Sequence, residues 1–224
     1  VKCLGANLLF LYTSDNGAQW PFGKWNLYDD GIRAPMVAAW PGVIRPGSRT
    51  AAMVSFADLL PTLLEASGGQ TPPGLDGQSY LGVLRGAARS PRDRVFATHT
   101  NDGNMNVYPM RCVRTARFKY ILNLHPEWKY TTHIDRGKDA DGAYYWRSWV
   151  RKAESDAAAA AVVKRYHERP REELYDIVSD PYETRNLAQV RRDTAAALRR
   201  DLESWMKRQG DEGRVSATPV PLSP

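Results

Sequence analysis

The first patterned stretch is an unbroken apolar run, Leu8-Leu9-Phe10-Leu11-Tyr12. With no polar residue alternating through it, it reads as a strand covered on both faces, the habit of a parallel sheet in an α/β protein. A second apolar run, Met36 to Trp40, follows a polar interval. Phe56, Leu59, Leu60, Leu63 and Leu64 then recur at i, i+3, i+4, i+7 and i+8, which predicts a helix whose apolar face is core. Asp58 is its expected N-cap, Pro61 falls in the first turn where its missing N–H is harmless, and Gly68-Gly69 ends it.

Residues 70–90 are rich in Pro, Gly and Arg and read as a connection. Beyond them the pattern shortens. Val95 to His99, Met110 to Arg114, Phe118 to Leu124 and Glu173 to Asp176 read as strands, and Thr115-Ala116-Arg117 is short enough to pair the second and third antiparallel. Polar and apolar residues alternate through Arg117-Phe118-Lys119-Tyr120-Ile121, which predicts a sheet with one wet face. Asp156 to Val163 is helical by alanine content. A last helix is expected from about Asp193 to Gln209, with Leu198, Leu202, Trp205 and Met206 on one face. Its arginines read either as a solvated face or as a heparin site. The expected division is 1–90, a larger α/β part; 91–209, a small four-stranded antiparallel α+β subdomain with its helix; and 210–224, a disordered tail.

Composition narrows the class. The 224 residues, 42% hydrophobic and 25% charged, suit a globular chain with one core, or one core and a satellite. No apolar stretch reaches the roughly eighteen residues of a membrane span. The net charge of +6 suits an acidic or sulfated substrate, though it is spread along the chain, and no nucleic-acid motif accompanies it. The start, Val1-Lys2-Cys3-Leu4-Gly5, has neither an initiator Met nor a signal peptide, so a piece of a longer polypeptide is expected. Cys3 and Cys112 make no disulfide framework and read as small buried hydrophobes. His125, His133 and His167 lack metal-ligand spacing, and His167 is expected at a solvated helix end.

Candidate chemistry gathers where the first run stops, at Thr13-Ser14-Asp15-Asn16-Gly17. Ligands collect at the carboxyl ends of strands in open α/β sheets. Asp15 and Asn16 offer two hard oxygen donors, suited to Ca²⁺ or Mg²⁺. The same three residues are also ordinary turn chemistry. Lys24 follows, then Tyr28-Asp29-Asp30-Gly31-Ile32-Arg33-Ala34-Pro35, where Arg33 reads as an ion-pair partner of its neighbours Asp29 and Asp30, a second anion contact being the other reading. A polar loop leaves the His99 strand end and runs to Arg111; its candidate substrate contacts are His99, Asn101, Asn104 and Arg111. For His99 a hydrogen-bonded structural role is the other reading. Trp128 to Arg151 is aromatic and polar, an insertion packing its rings on the subdomain or a carbohydrate contact.

The order S-D-N-G, a Lys, then Y-[ED]-x-G-[IV]-R-x-P and W-P-G resembles the type I sulfatases of the alkaline phosphatase superfamily. The resemblance covers almost the whole chain, but only the carboxyl-terminal part of that family. It implies an alkaline-phosphatase-like sandwich sheet domain for the first part. It makes Asp15 and Asn16 ligands of an active-site Ca²⁺ (Mg²⁺ possible) and Lys24 the catalytic contact to the sulfate. Y-P-M-R with V-R-T-x-R-[FY]-K-Y, and E-L-Y-D-x-x-x-D-P-x-E-T-x-N-L from Glu173 to Leu187, resemble the heparan N-sulfatase (sulfamidase) branch. That branch can carry Arg at the Lys24 position, which leaves N-sulfate and O-sulfate both open.

The family's formylglycine nucleophile comes from a C-x-P-S-R motif, whereas Cys3 precedes Leu-Gly-Ala and Cys112 precedes Val-Arg-Thr. The nucleophile and the remaining metal ligands are therefore expected in an amino-terminal half that partners this chain, and the chain alone is expected to be inactive. The implied function is hydrolysis of sulfate esters or sulfamates of sulfated sugars, in a periplasmic, secreted or lysosomal setting. A phosphate or phosphonate hydrolase of the same superfamily and a non-catalytic glycan-binding module are the alternatives.

Overall fold

The computed structural model describes residues 7–102, 106–137 and 142–214. Its elements begin β1 (Phe10–Thr13), α1 (Asp29–Ile32), β2 (Met36–Ala39), α2 (Leu59–Ala66) and α3 (Leu81–Leu84). They continue with β3 (Arg94–His99), β4 (Met110–Thr115), β5 (Phe118–Asn123), α4 (His133–Arg136), α5 (Ala143–Ala153), α6 (Ala157–His167), β6 (Glu172–Asp176) and α7 (Arg192–Arg208). Two compact units result, one from the described residues of Val1–Ser14 and Pro35–Val95, the other from those of Asp15–Ala34 and Phe96–Pro224. The excursion between β1 and β2 thus folds with the later part of the chain. Among the described residues no helix is long and apolar enough to cross a membrane.

In the first unit β1 pairs with β2 antiparallel, Phe10 opposite Ala39 and Tyr12 opposite Val37. This corrects the expectation of a strand covered on both faces in a parallel sheet. The sheet has two strands, and Phe10, Tyr12 and Val37 stand on one face at 46, 59 and 57% exposure. Helix α2 brings a second correction. Asp58 is its N-cap residue as expected, but the Asp58 side chain turns back to a preceding 3₁₀ turn, Phe56–Asp58, where Oδ2 accepts the backbone N–H of Ser55 at 2.7 Å in a capping box. Asp58, wholly buried, also accepts from Gln78 N at 2.7 Å and pairs with Arg92. The buried side of α2 is Pro61 and Thr62, with Tyr80 N donating to Thr62 Oγ1 at 3.0 Å, so α3 approaches opposite the leucines. Of the expected core face, Phe56, Leu60 and Leu63 are exposed, while Leu59 and Leu64 are half-buried.

The second unit is organised on the sheet β3-β4-β5-β6. The β4–β5 hairpin forms as expected, with Cys112 opposite Ile121, and β6 pairs antiparallel with β5, Glu173 opposite Ile121. Its two faces carry different cores. Val113, Tyr120, Leu122 and Leu174 pack with Leu198 and Leu202 of α7, the face the leucine spacing predicts. Met110, Cys112, Ile121 and Tyr175 pack with Leu27, Tyr28, Tyr108, Tyr130, Trp146 and Tyr166. The expected wet face is therefore dry, because the 15–34 excursion and the helices α5 and α6 lie on it. Cys112 is a buried apolar filler, burial pushing its thiol up to about 12. Cys3 lies outside the described residues.

Two ends differ from expectation. The close of α6 is not solvated: Tyr166 is fully buried, and His167 Nδ1 lies 2.8 Å from the Tyr130 carbonyl oxygen. Of the expected tail, 215–224 lie outside the described residues, while Asp211 is fixed to Arg111 by bonds of 2.5 and 3.0 Å. The start of α6 is capped by Asp156, which accepts from Ala158 N and Ala159 N.

Candidate functional site

The Asp15–Ala34 excursion is a closed loop. Gly17 N donates to Gly31 O at 2.9 Å and ties its ends together. A Cβ on Gly17 would sit 1.7 Å from the Asp30 carbonyl oxygen, and one on Gly31 would sit 2.5 and 2.6 Å from those of Gly23 and Asn26. Backbone meets backbone at both places, so only glycine fits. The Asp-Asn-Gly segment is thus a packed turn, and the same turn holds Asp15 exposed and Asn16 half-buried at the end of β1.

Lys24 is half-buried further round the loop, its N–H donating to Ala18 O at 2.9 Å. Phe22 (φ 66°) and Trp25 (φ 64°) flank it in the left-handed region, an unfavourable place for bulky side chains. Such strain persists only where the surroundings over-determine it. Phe22 meets Tyr28 and Tyr166 edge-on at 5.6 and 5.5 Å, with Arg165 Cζ 4.4 Å from its ring centre. Trp25 Nε1 donates to Asp102 Oδ2 at 3.1 Å, and its ring stacks on His133 at 5.1 Å. Tyr130 OH donates to Trp25 O at 3.1 Å while accepting from Asn26 Nδ2 at 2.8 Å. Arg169, buried, lies 3.6 Å from the Tyr130 ring centre. The Lys24 ammonium itself rests 5.1 Å from the Trp25 ring centre.

Beneath the loop is a buried charge cluster. Asp29 pairs with Arg114 at 3.0 Å and with Lys119 at 2.5 Å; Lys119 also lies 3.0 Å from Glu183, which accepts the Asp29 N–H at 2.6 Å. Burial would push the Asp29 carboxyl up, but Arg114 and Lys119 outweigh it and hold it at about 2. For Glu183 burial wins over the pull of Lys119 and raises it to about 7. Nearby, Glu173 accepts from Tyr28 OH at 2.8 Å and from Asn123 Nδ2 at 2.7 Å. Arg33 is exposed and, among the described residues, pairs with neither Asp29 nor Asp30, which corrects its expected role.

The polar loop after β3 meets this excursion through Asp102. His99 is half-buried with Nε2 2.9 Å from Asn106 O, and burial lowers its pKa. Asn106 Nδ2 lies 3.0 Å from His133 Nδ1. The structure therefore strings Lys24, Trp25, His133, Asn106 and His99 together. Asn101 is half-buried. Asn104 lies outside the described residues. Arg111 is separate: it is 4% exposed and its guanidinium faces Asp211, the His99 and Met110 carbonyls and Thr100 Oγ1. In this geometry Arg111 fastens the strand end to the carboxyl-terminal segment. Sequence reasoning missed Trp25, Asp102, Asn106 and His133; Trp25 had a signal in its adjacency to Lys24, His133 had none.

Asp15 and Asn16 are the right donors for a hard cation, but Ca²⁺ takes about six to eight oxygen ligands. Among the described residues no group of three or more His, Cys, Asp or Glu is arranged to hold a metal ion. The pair fits part of such a site.

The family described as N-sulphoglucosamine sulphohydrolase, C-terminal, matches residues 17–143, more than half of the chain, including Lys24 and the loop from Gly17 onward. The chain belongs to this family. An ulvan-active sulfatase of Formosa agariphila is 34% identical over 92% of this chain and 38% of its own length. The N-sulphoglucosamine sulphohydrolase of Homo sapiens is 32% identical over 80% of this chain and 37% of its own length. A solved structure in complex with its substrate, D-glucosamine-2-N,6-O-disulfate, superposes with a TM-score of 0.61 at 20% identity, over 91% of this chain and 35% of that one. That likeness carries the fold alone. The chain spans a little over a third of the length of these relatives.

Proposed function

We propose that this chain is the carboxyl-terminal portion of a sulfatase that hydrolyses sulfate esters or sulfamates of sulfated sugars. The observation that carries the reading is one closed loop presenting a carboxylate, a carboxamide and an ammonium group, clamped by glycine contacts and a buried ion cluster. Asp15 and Asn16 would hold the divalent ion, Ca²⁺ or Mg²⁺, which supplies Lewis-acid stabilisation of the sulfate oxygens. Lys24 would neutralise charge on a non-bridging oxygen as the bond to sulfur breaks, held in place between the packed residues Phe22 and Trp25 before substrate arrives. The nucleophile and the other ligands would come from an amino-terminal half of the same polypeptide. The bare apolar faces of the β1–β2 pair and of α2 fit such a partner. His99 and Asn101 stand as substrate contacts in the loop that Trp25 fixes.

The test is the complete gene with Lys24→Ala. Loss of about 10²–10³-fold in kcat is expected, the usual cost of removing one group that stabilises transition-state charge. Wild-type turnover of sulfate esters and sulfamates by that variant would sink the assignment. Adding EDTA should abolish activity, and Ca²⁺ should restore it. A preference for phosphate monoesters over sulfates would move the reading to a phosphohydrolase.

A further inference from the structure

We propose that Trp20, stacked on Tyr145 and flanked by Tyr144, forms a platform for a second sugar ring of a sulfated polysaccharide, beyond the residue being desulfated. The inference rests on the sulfatase reading and deepens it, making the substrate a chain of sugars. Trp20 and Tyr145 lie nearly parallel, 16° apart with ring centres at 5.3 Å. They are nonetheless 55 and 48% exposed, and Tyr144 is 76% exposed. Exposed, clustered aromatic rings mark interaction surfaces, and their flat faces match the apolar C–H face of a pyranose.

Three observations make the occupant an anionic carbohydrate. First, the platform is built rather than incidental. Gly142, in the left-handed region at φ +83°, lets the start of α5 abut the backbone of Gln19 and Trp20, where a Cβ would lie 2.3 Å from Gln19 O. Second, Trp20 belongs to the Lys24 loop: the N–H groups of Trp20 and Lys24 both donate to Ala18 O, at 2.8 and 2.9 Å. The platform and the Lys24 site are therefore parts of one tight loop. Third, α5 carries no Asp or Glu, while Arg147 and Arg151 follow Tyr144 at i+3 and i+7 and are exposed on its face. Aromatic rings beside exposed arginines suit a sulfated ring.

The experiment measures binding and turnover of sulfated ulvan oligosaccharides by the full-length protein, beside turnover of a small aryl sulfate. Trp20→Ala and Tyr145→Ala are each expected to weaken the oligosaccharide Kd and KM about tenfold, with the aryl sulfate unchanged. Trp20→Phe should stay near wild type. Tyr144→Ala, at a position too exposed to disturb folding, should show a smaller rise in Kd. Equal losses on oligosaccharide and aryl sulfate, or no change on either, overturn the platform while leaving the sulfatase reading intact. Binding that depends on Trp20 in a protein that desulfates nothing keeps the platform and overturns the sulfatase.

Discussion

Lys119 Nζ lies 2.5 Å from Asp29 Oδ1 where both residues are buried, and this contact joins the floor of the β5 strand to the loop that carries Lys24. Asp29 answers two cations, Lys119 and Arg114, while Glu183 shares Lys119 from the other side. A charge cluster of this kind is costly to break from one side, since the remaining charges stay out of water.

Asp29→Ala should therefore destabilise the protein by about 3–5 kcal/mol. The check is the urea midpoint at pH 7. Asp29→Asn, which keeps the volume but not the charge, should lose most of the same stability. A loss below 1 kcal/mol, as for a surface pair, would show the cluster to be solvated.

Glu183 sets the sign of a pH effect. Its folded value of about 7 stands above the ordinary 4.5. Between those pH values the unfolded chain has released this proton and the folded chain keeps it, so stability falls as pH rises through the window. The full effect is about 3 kcal/mol. Asp29 acts oppositely and lower, its stabilisation being lost as pH falls from about 4 towards 2. Glu183→Gln should flatten the dependence between pH 4.5 and 7, read from denaturant midpoints across that range.

Gly31→Ala places a methyl group against two carbonyl oxygens of its own loop. Neither is the end of a flexible side chain, so the loop must shift. Catalytic rate should fall about 10²-fold, the scale of an ångström of misplacement. The circular dichroism spectrum should remain that of the wild type. Unchanged kcat would mean that Lys24 is not held by this packing.

His99 should stay neutral below the usual histidine range, because burial disfavours its charged form. Its Nε2–H then donates to the Asn106 carbonyl, a tautomer that ¹⁵N NMR of the ring can read directly. Because the folded protein resists protonation here, the neutral ring's contribution to stability is lost as pH falls through the ordinary value near 6.5. A ring protonated at pH 6.5 would contradict the buried placement.

How much of this was legible depended on whether the signal was local. The β4–β5 hairpin and α7 follow from alternation and i, i+3, i+4 spacing, and the sheet–helix core formed where those patterns put it. The Asp15–Lys24 order was legible as a motif. Lys119 was misread because alternation names two faces without saying what lies on each; the excursion covering it comes from residues 15–34, far away in sequence. Leu60 and Leu63 were misread for the complementary reason, since helical spacing marks an apolar face whether or not this chain supplies its cover. Trp25 and His133 meet across more than a hundred residues, and no spacing rule reaches that far.

The two-stranded ribbon has a practical corollary. Tyr12 and Val37 sit directly opposite each other on a greasy surface, beside strand edges whose N–H and C=O groups meet no third strand among the described residues. Unpaired edges of that kind template further strands from other molecules. Anyone producing this stretch by itself should plan for precipitation, and a charge placed at Val37 is the first remedy to try.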